Sequence, residues 1–276
     1  MEIVTTLPAS VHTCAKSVKD PVLRQNVNSV FNLEAWEQVL RDHPDEQFKQ
    51  FIITGIKYGV NIGHNGISHD VISENWPSSL KHRNAVSSVI QRDLTRGRKL
   101  GPFQTPPPGF VGSPLGAFEK KRSPGKYRVI HDLSWPPGRS INENIYLDCS
   151  VHYITIDNIV CKIKAFGLKG VKMAKLDLED AYKHIFVRIQ DRPLLGLVWD
   201  TIDNDGTSHR EYFLDITLPF GLKSSAMLFN KYADGLEYAM LKNGTTVVSH
   251  YLDDYFTCGH PETMDPVQSC DYESRV

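Results

Sequence analysis

The stretch HYLDDYF, His250 to Phe256, sets Asp253 and Asp254 side by side among aromatic and apolar residues, and a third aspartate, Asp177, stands in LDLEDAYKHI. Adjacent carboxylates repel and lose hydration among apolar neighbours, so such a pair needs a cation or a turn open to water. Taken alone, the tetrapeptide fits a solvated hairpin tip as well as a metal site. With Asp177 at the end of one strand and the pair on a neighbouring hairpin, three carboxylates would converge at one sheet edge. Such a group persists at neutral pH only with divalent cations bound. Oxygen ligands of this kind favour Mg²⁺, with Mn²⁺ as the other suitable ion. Two ions about 4 Å apart support phosphoryl transfer, activating an attacking hydroxyl and stabilising a departing pyrophosphate.

The elements that would position these residues follow from local pattern. Helices are expected over Leu33–Arg41 behind an Asn32 cap and over Asp45–Tyr58 before Gly59. A third is expected from a Ser78 or Ser79 cap to Arg96, ending at Gly97. Clustered Pro and Gly from Gly101 to Gly116 predict an extended, irregular path. AFEKKRSPGKYRVIHDLS reads as a strongly basic β-hairpin turning at Ser123-Pro124-Gly125. A helix near Asp157–Phe166, a strand into Asp177, a hairpin over Gly196–Phe213 and a helix capped by Ser224 or Ser225 come next. Two short strands around Leu252–Asp254 close the series. The order indicates an α+β fold with an antiparallel sheet covered by helices on one side.

Composition narrows the class. The 276 residues are 41% hydrophobic and 10% aromatic, ample for a core, which excludes a disordered chain. No apolar run reaches the roughly 18 residues of a membrane span, and MEIVTTLPAS lacks the pattern of a signal peptide. The five scattered cysteines suit reduced thiols, so a soluble intracellular protein is expected. The net charge of −1 hides an asymmetry: residues 81–128 carry +9 and residues 129–276 carry −7. That division suits a protein that holds a polyanion with one part and coordinates cations with another.

LDLEDAYKHI, LPFGLKSSAMLF and HYLDDYF, in this order and at these separations, resemble the motifs of reverse transcriptases, and SPLGAFEKKRSPGKYRVIHDLSWPPGRSIN resembles their fingers region. LSWPPGRSIN and RPLLGLVW look most like the DIRS-type retroelements that use a tyrosine recombinase. The resemblance implies the fingers and partial palm of a right-hand polymerase, with a ferredoxin-like antiparallel palm sheet packed on helices. It divides the chain into a helical lead-in over 1–75, a fingers-like region over 76–170, a partial palm over 171–260 and a disordered tail over 261–276. Only 22 residues follow Asp254, so the thumb and any RNase H domain are expected to be absent.

By resemblance, Asp177 and Asp253 bind both metals, Asp254 is the third and less engaged carboxylate, and the Leu178 carbonyl contributes to a metal. The backbone N–H groups of Asp180 and Ala181 would meet the incoming triphosphate, with Arg128 and Lys120 or Lys121 holding its phosphates. Phe220 and Gly221 would pack against nucleotide and template base, and Lys126, Lys223 and Tyr251 would contact nucleic acid. Tyr182, five residues after Asp177, would exclude a ribose 2′-hydroxyl and select deoxynucleotides; a core tyrosine under the sheet is the alternative. The implied partners are an RNA template, a DNA or RNA primer, dNTPs and other segments of a retroelement polyprotein. The competing function is a decayed or domesticated fragment that binds nucleic acid without catalysis.

Overall fold

The computed structural model describes residues 31–66, 71–121, 123–165, 170–203 and 205–259. Residues 1–30 of the lead-in and the polar tail over 261–276 lie outside the described residues. Helix α1 (Leu33–Val39) starts where Asn32 Oδ1 accepts from the Ala35 N–H, and α2 (Glu46–Tyr58) where Asp45 Oδ1 accepts from the Phe48 N–H. Both side chains satisfy a donor that the first helical turn leaves without a partner. Gly59, at φ 84°, ends α2 in a conformation few other residues adopt. The third expected helix is two: α3 (Pro77–Lys81) and α4 (Arg83–Thr95) meet at His82, whose φ −114° and ψ 40° interrupt the helix. The His82 ring lies 4.3 Å from that of Tyr127 at a tilt of 33°, a tertiary contact that helical periodicity could not anticipate.

The Pro/Gly stretch is not irregular throughout. Strand β1 (Lys99–Phe103) pairs antiparallel with β6 (Ser208–Asp215), with a register irregularity between Leu100 and Phe103. It lies at the sheet edge, where Pro102 removes no ladder bond that a neighbour needs. β6 forms the expected hairpin with β5 (Gly196–Ile202), giving the order β1-β6-β5. The basic hairpin is β2 (Leu115–Glu119) with β3 (Tyr127–His131). It is seated by Asn75, whose Oδ1 accepts from the Leu115 N–H, and by Trp76 Nε1, which donates to Asp132.

Helix α5 (Ile156–Ala165) precedes β4 (Lys172–Asp177); Phe166, expected at the end of that helix, lies outside the described residues. Helix α6 (Ser225–Lys242) and the strands β7 (Val247–Tyr251) and β8 (Asp254–Gly259) follow. β4, β8 and β7 make a three-stranded antiparallel sheet in that order. Pairing is antiparallel in every sheet, as expected, but the described strands divide among three separate sheets.

The main core spans most of the fold. Trp36, Ile52 and Ile56 of the first two helices belong to one buried cluster with Tyr182, Leu228, Tyr232, Val248 and Tyr255. Each such side chain contributes about 2–3 kcal/mol by leaving water. The first two helices therefore brace the same core that supports β7 and β8.

Candidate active site

The β7–β8 hairpin turns through two residues, Leu252 and Asp253, between the paired Tyr251 and Asp254. Leu252 sits at φ 54°, a left-handed conformation that costs a leucine about 1–2 kcal/mol, and its side chain packs against the main core. Burial of Leu252 anchors the turn and leaves Asp253 at its tip. Tyr255 ties the hairpin to α6 by donating from its hydroxyl to the Ala233 carbonyl, and His250 Nε2 lies 3.1 Å from Asp234.

β4 delivers Asp177 directly opposite Asp254, and the Leu178 N–H donates to the Asp253 carbonyl at 3.0 Å. The three aspartates and Leu178 thus meet at one end of the sheet. Among the described residues no group of three His, Cys, Asp or Glu is arranged to hold a metal ion. Asp254 is drawn instead to Lys175, whose Nζ lies 2.9 Å from Oδ1 on the exposed surface. Lys175 relieves the repulsion that a cation was expected to relieve, while exposed Asp177 and half-buried Asp253 keep carboxylate oxygens available. Such donors suit a hard divalent cation.

The chain leaves Asp177 through a tight loop. Asp180 is left-handed (φ 56°, ψ 30°) and its Oδ2 accepts from Arg96 Nη1 at 2.9 Å and Arg98 Nη1 at 2.6 Å. Burial pushes this carboxyl upward, but the Arg98 hydrogen bond and the charges of Arg98, Arg92 and Arg96 outweigh it and hold the group below the usual carboxylate range. A 3-10 turn over Ala181–His184 follows, with Ala181 buried and Tyr182 only 8% exposed. The Tyr182 ring lies between Phe220, at 4.8 Å, and Phe229, at 5.3 Å. Its hydroxyl is pushed up to about 12, mainly by burial and further by Tyr153, Asp253 and Tyr251. Tyr182 is therefore a core residue by its ring and a neighbour of Asp253 by its electrostatics.

Phe220 is 70% exposed at the mouth of this group. Gly221 passes so close to β3 that a Cβ there would lie 2.0 Å from the His131 carbonyl oxygen. Asn142 locks the loop, donating from Nδ2 to the Gly221 carbonyl and accepting the Lys223 N–H at Oδ1. The Lys223 ammonium donates to the Ile145 carbonyl at 3.1 Å. Neither serine caps α6 through its side chain, contrary to expectation: Ser224 donates to the Ile62 carbonyl and Ser225 to the Pro219 carbonyl. The two hydroxyls tie the loops around the helix start instead.

On the basic hairpin, Lys120, Lys121, Lys126 and Arg128 are exposed. The register pairs Phe118 with Arg128, and the Lys120 N–H donates to the Lys126 carbonyl. By the two-residue alternation of strands, Lys120 and Lys126 share a face with Arg128, and Lys121 does not. Half-exposed Tyr251 packs its ring 4.6 Å from Tyr153.

Residues 119–265 match the family described as reverse transcriptase (RNA-dependent DNA polymerase), and this span is over half of the chain. The chain belongs to the reverse transcriptase family. No curated protein matches it. Family membership implies template, primer and nucleotide substrates and nucleotidyl transfer, and no helix among the described residues is long and apolar enough to cross a membrane.

Two features of this reverse transcriptase domain escaped the sequence reading. Asn142 lies within the quoted RSIN stretch, where its position beside a turn was the only signal. The other is a buried charge cluster around Asp215. Asp215 accepts from Lys99 and from Lys183, the latter at 3.2 Å, and His131 Nδ1 lies 3.0 Å from its second oxygen. Asp93 approaches both lysines, at 4.0 and 3.7 Å. Burial raises the Asp215 carboxyl, yet Lys183, Lys99 and His131 hold it well below its ordinary value. The same burial lowers the Lys99 ammonium, against the attraction of Asp215.

Proposed function

We propose that this reverse transcriptase domain joins dNTPs to a primer 3′-hydroxyl opposite an RNA template, with Asp177 and Asp253 as its principal catalytic carboxylates. The observation that carries the reading is the pairing of β4 with β8, which sets Asp177 across from Asp254 and bonds Leu178 to Asp253. Asp177, Asp253 and the Leu178 carbonyl would hold two Mg²⁺ or Mn²⁺ ions, with Asp254 at the margin beside Lys175. Bound there, the ions supply activation of the 3′-hydroxyl and neutralisation of the departing pyrophosphate.

The remaining roles belong to the chain's own groups. The N–H groups of Asp180 and Ala181 bind the triphosphate, with Lys120 and Arg128 holding its outer phosphates from the hairpin. Tyr182 closes the space beside the sugar C2′, and Phe220 and Gly221 form the floor under the base. Lys126, Lys223 and Tyr251 contact the primer and template. LSWPPGRSIN and RPLLGLVW support placing the domain among retroelements of the tyrosine-recombinase type.

Primer extension on an RNA template with Mg²⁺ and dNTPs, beside an Asp253→Asn control, tests the reading. Extension by the parent alone supports it. Absence of extension, together with salt-sensitive RNA binding, would assign the chain to nucleic-acid binding without catalysis. Tyr182→Ala is expected to incorporate ribonucleotides more readily than the parent; equal discrimination would leave Tyr182 as a core residue only.

A further inference from the structure

The loop Asp180–Lys183 is held by charged side chains of one short segment together with Asp215 of β6. Arg96 and Arg98 both reach the same oxygen of Asp180, at 2.9 and 2.6 Å. Three residues further along the loop, Lys183 places its ammonium 3.7 Å from Asp93 and 3.2 Å from Asp215. Lys99 completes the group by its own bond to Asp215. Asp93, Arg96, Arg98 and Lys99 span seven consecutive positions, the end of α4 and the start of β1, all before the region that matches the family at 119–265.

We propose that the segment Asp93–Lys99 is a charged clasp that positions the Asp180–Lys183 loop for the incoming nucleotide. The proposal rests on the reading of Asp180 and Ala181 as triphosphate ligands. Its argument is charge and backbone geometry. The buried group sets Lys99 and Lys183 against Asp93 and Asp215, with Arg92 also 3.4 Å from Asp93 and His131 3.0 Å from Asp215, and the seated loop supplies Lys183 to both aspartates. At the other end of the loop, Asp180 holds a left-handed backbone, and the two guanidinium contacts keep its side chain facing the clasp. The Lys183 N–H donates to the Asp180 carbonyl at 2.7 Å, so the two anchors are joined by a closed turn. The backbone is also continuous with the sheet, since the Ile216 N–H donates to the Arg98 carbonyl at 3.1 Å. A rigid clasp of this kind presents the Asp180 and Ala181 N–H groups in one orientation before a nucleotide arrives. Arg96, Arg98 and Lys183 are therefore positioning residues, acting through the loop.

The test compares the parent with Arg96→Met/Arg98→Met, which removes partly exposed contacts, with Lys183→Met, and with the conservative Arg98→Lys. Amide hydrogen exchange over residues 180–185 is read together with dNTP KM, primer–template affinity and melting temperature. In the double variant, exchange in the loop is expected to rise about tenfold and dNTP KM by a similar factor. kcat falls less, and primer–template affinity holds. Lys183→Met shifts the same two quantities in the same direction, and Arg98→Lys restores part of each. Unchanged loop exchange in a folded double variant overturns the clasp whatever the parent's activity. Raised exchange with unchanged KM overturns the link to nucleotide. A parent that extends no primer, with exchange raised in the variant, sinks the polymerase reading and the nucleotide link but supports the clasp on the loop.

Discussion

Two groups of aspartates sit in this fold, and they are built in opposite ways. Asp177 and Asp253, at the end of the β4–β8–β7 sheet, are exposed or half-buried, and the ion pair beside them is the exposed one between Lys175 and Asp254. Asp215 is 1% exposed and meets two lysines and a histidine within hydrogen-bonding reach. A buried carboxylate is tolerated only when its lone pairs are filled, so the Asp215 group has nothing left to offer a substrate. The sheet-end group has open oxygens and contributes little to holding the chain together. Chemistry and cohesion are thus divided between two sets of carboxylates that differ in burial.

The comparison breaks first at the sheet end. Asp177→Asn is expected to reduce primer extension about 10³-fold or more while the melting temperature is unchanged or higher, because like charges are removed at no cost in partners. A parallel fall in stability would show that Asp177 is structural. Asp215→Ala should do the reverse, losing about 3–5 kcal/mol in urea unfolding by removing the carboxylate that hydrogen-bonds both Lys99 and Lys183. A loss under about 1 kcal/mol would mean that water replaces the carboxylate.

Acidification sharpens the contrast. The folded Asp215 carboxyl lies well below its ordinary value, so its stabilisation is complete above the unfolded value of about 4 and is lost as pH falls through the folded one. Urea midpoints should drop below about pH 4 in the parent and drop less in Asp215→Asn. The smallest effect is expected at Lys175. Lys175→Met should leave the melting temperature unchanged and lower the Mg²⁺ concentration needed for half-maximal extension, since Asp254 is released. A higher Mg²⁺ requirement would make Lys175 an aid to the site.

What was legible in advance was local. Asn32 caps its helix because the hydrogen bond spans three residues, Asp45 stands one position outside the helix it was expected to begin, and the β2–β3 and β5–β6 hairpins close through turns whose residue types announce them. The break at His82, the strand inside the Pro/Gly stretch and the diverted hydroxyl of Ser224 were not, since each involves a partner far along the chain. Ser224 shows the reason: its local role as a cap was available, and the Ile62 carbonyl, 162 residues away, took the hydroxyl.

The amino-acid sequence by itself determined the family of this chain and the identity of its candidate carboxylates, because motif order and spacing survive without knowledge of contacts. Only the tertiary structure decided which aspartates are free. Lys99 and Asp215, 116 positions apart, form a buried ion pair because β1 lies beside β6. Asp177 stays open because β8 places beside it a second carboxylate, already held by Lys175. Charge identity is written in sequence, but its solvation and partners are set by packing, and those decide whether a carboxylate binds a substrate or braces a fold.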